Sequence, residues 1–360
     1  MTRSSRWSVL HRAPAALPVL LLSAYVFAVW VWSAETPTTS FNGDPRSKLS
    51  DLIYGTAHKP YVYRALVPML TRSIHSLVAG PALDSLEQAI LRHPKVQKET
   101  KRLGWEKDFF VEYLIALALA FGALVGFAFA LRRLWTLLYA TDDAIARIAP
   151  LLALLALPPI FPTGPHYIYD FPALFLFTAG MVLIAQERWN FFYPLFVIGC
   201  VNKEAMFLLS FLFLVWFRKR MHTPTLLFHL TAQVLLFAVV RTAIMYTFAD
   251  NPGESLPFQL YPNLHFALMG YNLTTLLYLA LLVWLVAHDL RHKHPFLTAA
   301  LMLTVPFGIL VLLSGVLSEL RAVYELFPVL FLLVLHTILF SLLRKPYVLR
   351  TLPDSSSRVP

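Results

Sequence analysis

Stretches of about 18 or more residues with almost no charge recur along this chain, each long enough for a helix to cross a hydrocarbon layer of ~30 Å. A water-soluble domain cannot accommodate so many, because its surface must present charge to water. Here 58% of the 360 residues are hydrophobic and only 14% charged. The fold class that follows is all-α, a polytopic transmembrane helical bundle. A single cysteine, Cys200, excludes an internal disulfide framework and a cysteine-rich metal site. The net charge of +10 traces mostly to loops and to one mixed-charge segment, so it reads as membrane orientation, with no nucleic-acid partner.

The first apolar run, residues 15–32, follows Arg3, Arg6 and Arg12. It is long, rich in aromatics and lacks a small-residue cleavage site, so it reads as a retained span following a short cytoplasmic N-terminus, residues 1–14. Residues 33–108 form a long polar segment, and 109–343 carry the remaining apolar runs: 109–130, 148–161, 171–186, 191–217, 224–248, 266–288, 295–314 and 327–343. The run 191–217 holds Asn202-Lys203-Glu204 at its middle. As one straight helix it would leave two charges at the bilayer centre, each costing roughly 2.5–3.5 kcal/mol. Broken there, it becomes two short helices, out and back, and the total is about ten membrane helices; a straight helix facing a wet cavity is the other reading.

With that break every short loop sorts by charge. Arg132, Arg133, Arg188, Arg218, Lys219, Arg220, Arg291, Lys293, Arg344 and Lys345 fall on one side, and only Lys203 and Arg321 on the other. The positive-inside rule makes the first side cytoplasmic, together with both termini, including the tail 344–360, in a plasma (inner) membrane. On the outer side, Val62, Leu66, Leu70, Ile74 and Val78 recur every four residues within 61–79, the pattern of one interfacial helix. A second is expected near 84–92, and the end of the chain after Pro353 reads as a disordered tail.

The residues that are costly for their location collect on that outer side: Asp44, Asp51, Arg64, His166, Tyr167, Tyr169, Asp170, Lys203, Glu204, Glu319, Arg321, Tyr324 and Glu325. Arg241 lies within an apolar run near its outer end. Charged groups at membrane depth mark cavities or partners. Each also has a plainer reading. Asp44 can serve its own Asn-Gly-Asp-Pro turn, Asp170 can cap the helix it precedes, and Lys203 with Glu204 can be a structural pair. Arg241 can snorkel or pair with a carboxylate for packing alone, and Arg321 can bridge Glu319 or Glu325. His229 and His336 read as core histidines. Together the outer residues form a face on which Lys203, Arg241 and Arg321 can hold an anionic lipid headgroup. A carboxylate there can deprotonate an acceptor hydroxyl or bind a divalent cation.

The layout of one span, a long outer loop with an early Asp, interfacial helices and then a bundle resembles the GT-C class of membrane glycosyltransferases. The likeness is carried locally by Pro60-Tyr61-Val62-Tyr63-Arg64-Ala65-Leu66-Val67-Pro68, by Asn202-Lys203-Glu204-Ala205, and by Ser318-Glu319-Leu320-Arg321 ahead of Leu326-Phe327-Pro328. The resemblance implies transfer of a sugar from a polyprenyl-phosphate donor to a lipid, glycan or protein acceptor at the outer face. It makes Asp44 the catalytic base or a ligand of a divalent cation (Mg or Mn), with Asp51 the other acidic residue of the first loop. It assigns Lys203, Arg241 and Arg321 to the donor phosphate; Arg64, His166, Tyr167, Asp170, Glu204, Glu319 and Tyr324, gathered on the same outer face, are expected to form the surrounding substrate site. Unlike a paired acidic motif, Asp44 and Asp51 stand seven residues apart. Two other functions fit the same sequence: a transporter or flippase for a lipid-linked or anionic substrate, and a non-enzymatic subunit of an envelope-polymer assembly complex.

Overall fold

The computed structural model describes residues 16–34 and 40–352, so the expected cytoplasmic N-terminus and the tail after Pro353 lie outside the described residues. The chain folds as helices α1 (Ala16–Ser33), α2 (Leu49–Tyr54), α3 (Leu66–Val78), α4 (Pro81–Leu91), α5 (Pro94–Arg102), α6 (Phe110–Leu138), α7 (Asp143–Leu155) and α8 (Asp170–Ala185). There follow α9 (Trp189–Asn202), α10 (Leu208–Phe217), α11 (Thr223–Thr247), α12 (Leu260–Met269), α13 (Leu273–Ala287), α14 (Pro295–Leu301), α15 (Thr304–Ser314) and α16 (Phe327–His336). One two-stranded ribbon pairs β1 (Tyr139–Ala140) with β2 (Val348–Leu349), antiparallel.

Among the described residues six helical stretches are long and apolar enough to cross a membrane, and a seventh counts if α12 and α13 form one bent span. The expectation of about ten crossings is therefore not met by length. The segments starting at Asp170 and Glu204 are apolar but shorter than a span. The expected straight helix over 266–288 is also replaced: α12 and α13 meet at a bend of 100°. Gly270-Tyr271-Asn272 turns the chain there, and Asn272 restarts it by accepting the Thr275 amide at 2.8 Å.

The centre of the bundle is α6 against α8. The buried side of α6 repeats every three or four residues through Tyr113, Ala116, Ala120, Ala123, Phe127, Leu131 and Trp135. Small residues on it let α8 close in. A Cβ on Gly126 would lie 2.9 Å from the Phe175 ring, so the glycine is what makes room for that ring.

The run 191–217 is broken where expected. Lys203 is extended (φ −159°, ψ 141°), ending α9 and starting the 3-10 turn Glu204–Phe207 that leads into α10. The ring of Trp189, at the start of α9, lies 5.5 Å from that of Phe217, at the end of α10. A straight helix would separate them by about 40 Å. The two arms thus run out and back, and the backbone group freed at the break is satisfied because Val201 O accepts the Ala65 amide at 3.0 Å.

The segment over 40–109 is folded, with corrections to its expected elements. In place of one helix over 61–79 there is a 3-10 turn, Tyr61–Tyr63, a break at Arg64, and then α3. The face α3 buries is Val67 and Thr71, while Leu70 and Val78 of the expected stripe are exposed. The second expected helix is α4, and α2 and α5 are additional. Glu112 of α6 ties the segment down: its Oε1 accepts from the Tyr54 hydroxyl at 2.6 Å and lies 3.4 Å from His75 Nδ1.

Candidate functional site

At one end of the bundle the connections α1–α2, α2–α3, α7–α8, α9–α10 and α15–α16 converge, and with them most of the charged residues singled out above. The break at Lys203 decides the arrangement. Neighbours in sequence, Lys203 and Glu204 do not pair with each other. Lys203 Nζ lies 2.7 Å from Glu325 Oε1, whereas Glu204 receives Arg64 at 3.1 Å and faces Arg241 at 3.8 Å. Arg321 pairs closely with Glu319 and lies 3.9 Å from Asp170.

Asp170 is not the cap of α8. Tyr169 holds the cap position, and the Asp170 side chain belongs to the first helical turn, fully buried beside Arg321. Tyr324 is buried at the same place, in the electrostatic field of Asp170 and Arg321. The pairing of Lys203 with Glu204 gives way to these longer-range pairs, and Arg241 takes the carboxylate-pairing alternative to snorkelling, facing Glu204.

Between these charges stands a column of three tyrosines. Tyr167 and Tyr169 stack at 5.0 Å, and Tyr61 from the 40–109 segment stacks on Tyr167 at 5.7 Å. Guanidinium groups cover the column: Arg321 lies 4.3 Å from the Tyr167 ring centre and Arg64 4.8 Å from that of Tyr169. Arg64 also donates to the Tyr169 hydroxyl at 2.7 Å. Asn202, one residue before the break, pins the base of the column by donating to Tyr169 O at 3.1 Å. Burial holds the Tyr167 hydroxyl well above the ordinary phenol range, opposed in part by Arg321, so it stays protonated at neutral pH.

Asp44 sits at the rim, where the turn reading holds. It accepts the Arg46 amide at 2.9 Å and closes its own turn, while both carboxylate oxygens receive the Arg46 guanidinium at 2.8–3.2 Å. The Tyr61 hydroxyl, 3.5 Å from Oδ2, links it to the column. Burial pushes the Asp44 carboxyl up, but hydrogen bonds and charge from Arg46 outweigh this and hold it below the usual carboxylate range.

Two expected members stand apart. The Asp51 carboxylate accepts from Thr56 in the turn that ends α2. His166 is buried between the Trp30 and Phe41 rings and bonds Ser33 at 2.9 Å. Among the described residues no three His, Cys, Asp or Glu side chains gather as a metal site, and both oxygens of Asp44 are engaged by Arg46. Those residues do not fit a protein-held divalent cation.

Capacity for a polar ligand remains. Arg64 Nε and Arg321 Nε are buried donors without a hydrogen-bond partner, and Asp170 Oδ1, Glu204 Oε2 and Glu325 Oε2 are buried acceptors without a hydrogen-bond donor. Arg46 and Tyr61 were not foreseen as site residues. Their signal was local: a cation two residues after Asp44 in a turn, and a tyrosine beside the Tyr63-Arg64 pair.

The fold and this charged end define a polytopic helical protein of the membrane. Comparison with known protein families, with characterised proteins and with solved structures finds no match.

Proposed function

We propose that this protein is a GT-C-like glycosyltransferase that moves a sugar from a polyprenyl-phosphate donor to a lipid, glycan or protein acceptor at the outer face of the membrane. One observation carries the reading. Cations, carboxylates and tyrosines from separate stretches of the chain gather at one end of the bundle, beneath the folded 40–109 segment. A donor whose phosphate sits at the interface and whose chain lies in the lipid meets such a site without leaving the membrane.

In this reaction the acceptor hydroxyl attacks the anomeric carbon, the bond to the phosphate oxygen breaks, and negative charge grows on the phosphate. Arg64 and Arg321 have unused buried donors to receive that charge. Arg241, 3.8 Å from Glu204, is the more loosely engaged of the two arginines facing that carboxylate. Asp44 orients the acceptor hydroxyl and takes its proton. With a lowered pKa it is a weak base, so proton transfer falls late, when the attacking oxygen is already acidic. Tyr61, on the open end of the column, is the surface against which a sugar ring packs.

The test is mass spectrometry of polyprenyl-phosphate-linked sugars in cells lacking the protein, rescued with wild type or Asp44→Asn. Accumulation of a donor lipid that only wild type clears supports transfer and names the sugar. Unchanged lipid pools sink it.

A second reading, a transporter or flippase for a lipid-linked or anionic substrate, is favoured by the break at Lys203 and the 100° bend between α12 and α13. It predicts lipid movement across liposomes by the purified protein without any change in the sugar attached.

A further inference from the structure

The opposite end of the bundle carries a second site, unlike the first in one respect. In the tyrosine cluster the cations Arg64, Lys203, Arg241 and Arg321 each face a carboxylate. At the other end, the last turn of α10 and the start of α14 enclose a cleft of about 470 Å³, rimmed by Arg218, Lys219 and Arg220. None of the ion pairs among the described residues includes Arg218 or Lys219, and both side chains are exposed.

The cleft beneath these cations has a mixed lining, with Thr298 among its walls and an apolar side. Its walls include Trp216, Ala299 and Met302, and Trp216 is set edge-on to Phe296 at 5.1 Å. The Arg220 guanidinium carbon lies over the Trp216 ring, 3.7 Å from its centre, which holds one cation at the boundary between the charged rim and the apolar wall. The wall continues along the bundle. Met302 is 50% exposed, and Val305 and Ile309, one helical turn apart on α15, are each 55% exposed.

We infer that this cleft binds an anionic phospholipid, its phosphate between Arg218 and Lys219 and an acyl chain along Met302, Val305 and Ile309. Unneutralised cations alone would suit any anion. Cations that open onto a continuous exposed apolar track suit an anion with a hydrocarbon tail, and basic pockets between membrane helices recognise lipid headgroups in this way.

The experiment uses the full-length protein in neutral detergent and native mass spectrometry with phosphatidylglycerol or phosphatidylcholine of the same acyl chains. The expected result is roughly tenfold or greater preference for phosphatidylglycerol, falling severalfold in Arg218→Gln/Lys219→Gln. Arg291→Gln, which removes an exposed cation from the same end outside the cleft, should leave the preference intact. Inorganic phosphate should not compete at concentrations matched to the lipid.

Equal retention of the two lipids would overturn the inference and leave the cleft to a protein partner. So would an unchanged preference in the double variant, or an equal loss in Arg291→Gln, which would mean diffuse charge and no site. Effective competition by phosphate would make it a site for free anions. The unliganded melting temperature of the double variant should match wild type, since both side chains point to solvent.

Discussion

Lys203 and Glu325 meet at 2.7 Å, with only 11% and 1% of their side chains exposed, across the break that divides α9 from α10. Neither helix could run straight through this point without burying Lys203 unpaired. The pair therefore joins the hairpin to the connection ahead of α16, and its removal should be felt as stability first.

Lys203→Met leaves Glu325 as an uncompensated buried charge and is expected to destabilise the protein by about 3–5 kcal/mol. Lys203→Met with Glu325→Leu should recover most of that loss, because the charges leave together. Thermal unfolding in detergent of the two variants and Glu325→Leu alone forms the cycle, and additive losses would refute the pairing.

Arg64 serves Glu204 at 3.1 Å and the Tyr169 hydroxyl at 2.7 Å at once. Lysine keeps the charge but not the fork. Arg64→Lys should cost about 1–3 kcal/mol through the partner left unsatisfied, and should lower transfer in the lipid assay more than it lowers the melting temperature. Full activity would remove Arg64 from the site.

The carboxyl of Asp44 is held below the ordinary range by Arg46. A group whose folded pKa is depressed stabilises above its unfolded value, and the contribution disappears as pH falls through the folded one. The turn around residues 42–47 should therefore resist acid until below about pH 4. In Arg46→Gln only burial and weaker bonds remain, so the loss should begin at higher pH. Limited proteolysis of this segment across a pH series reads the difference, and coincident profiles would contradict the coupling.

The antiparallel hairpin makes a distance prediction. In a Cys200→Ser background, Trp189→Cys with Phe217→Cys should cross-link with a short thiol reagent, because the two rings are 5.5 Å apart. Absence of cross-linking would restore the straight helix. For orientation, Ser318→Cys and Thr223→Cys are exposed and should label from opposite sides of the membrane. His166, in the α7–α8 connection at the same end of the bundle as Ser318, is buried and unsuited to that test.

Much was legible in the chain because its cause is local. Uncharged length against the thickness of a hydrocarbon layer specifies membrane helices whatever their neighbours do. The cost of a lysine and a glutamate at mid-run dictates a break at Asn202-Lys203-Glu204, and the structure has it at Lys203. The gathering of Arg64, Asp170, Glu204, Glu319 and Arg321 followed from the same sorting of charge to one end.

Pairing was not legible, because partners distant in sequence compete on geometry that one segment does not contain. Adjacent Lys203 and Glu204 read as a pair, yet an extended residue sends their side chains apart, to Glu325 and to Arg64. His166 read as a site residue, but the Trp30 and Phe41 rings of another stretch offered it a buried place away from the charges. The apolar run 266–288 read as one helix, until Asn272 and the packing of α12 on α15 bent it. Hydropathy, a property of each residue, settled where this chain belongs; contact between distant residues, available only once the bundle closes, decided which charge answers which.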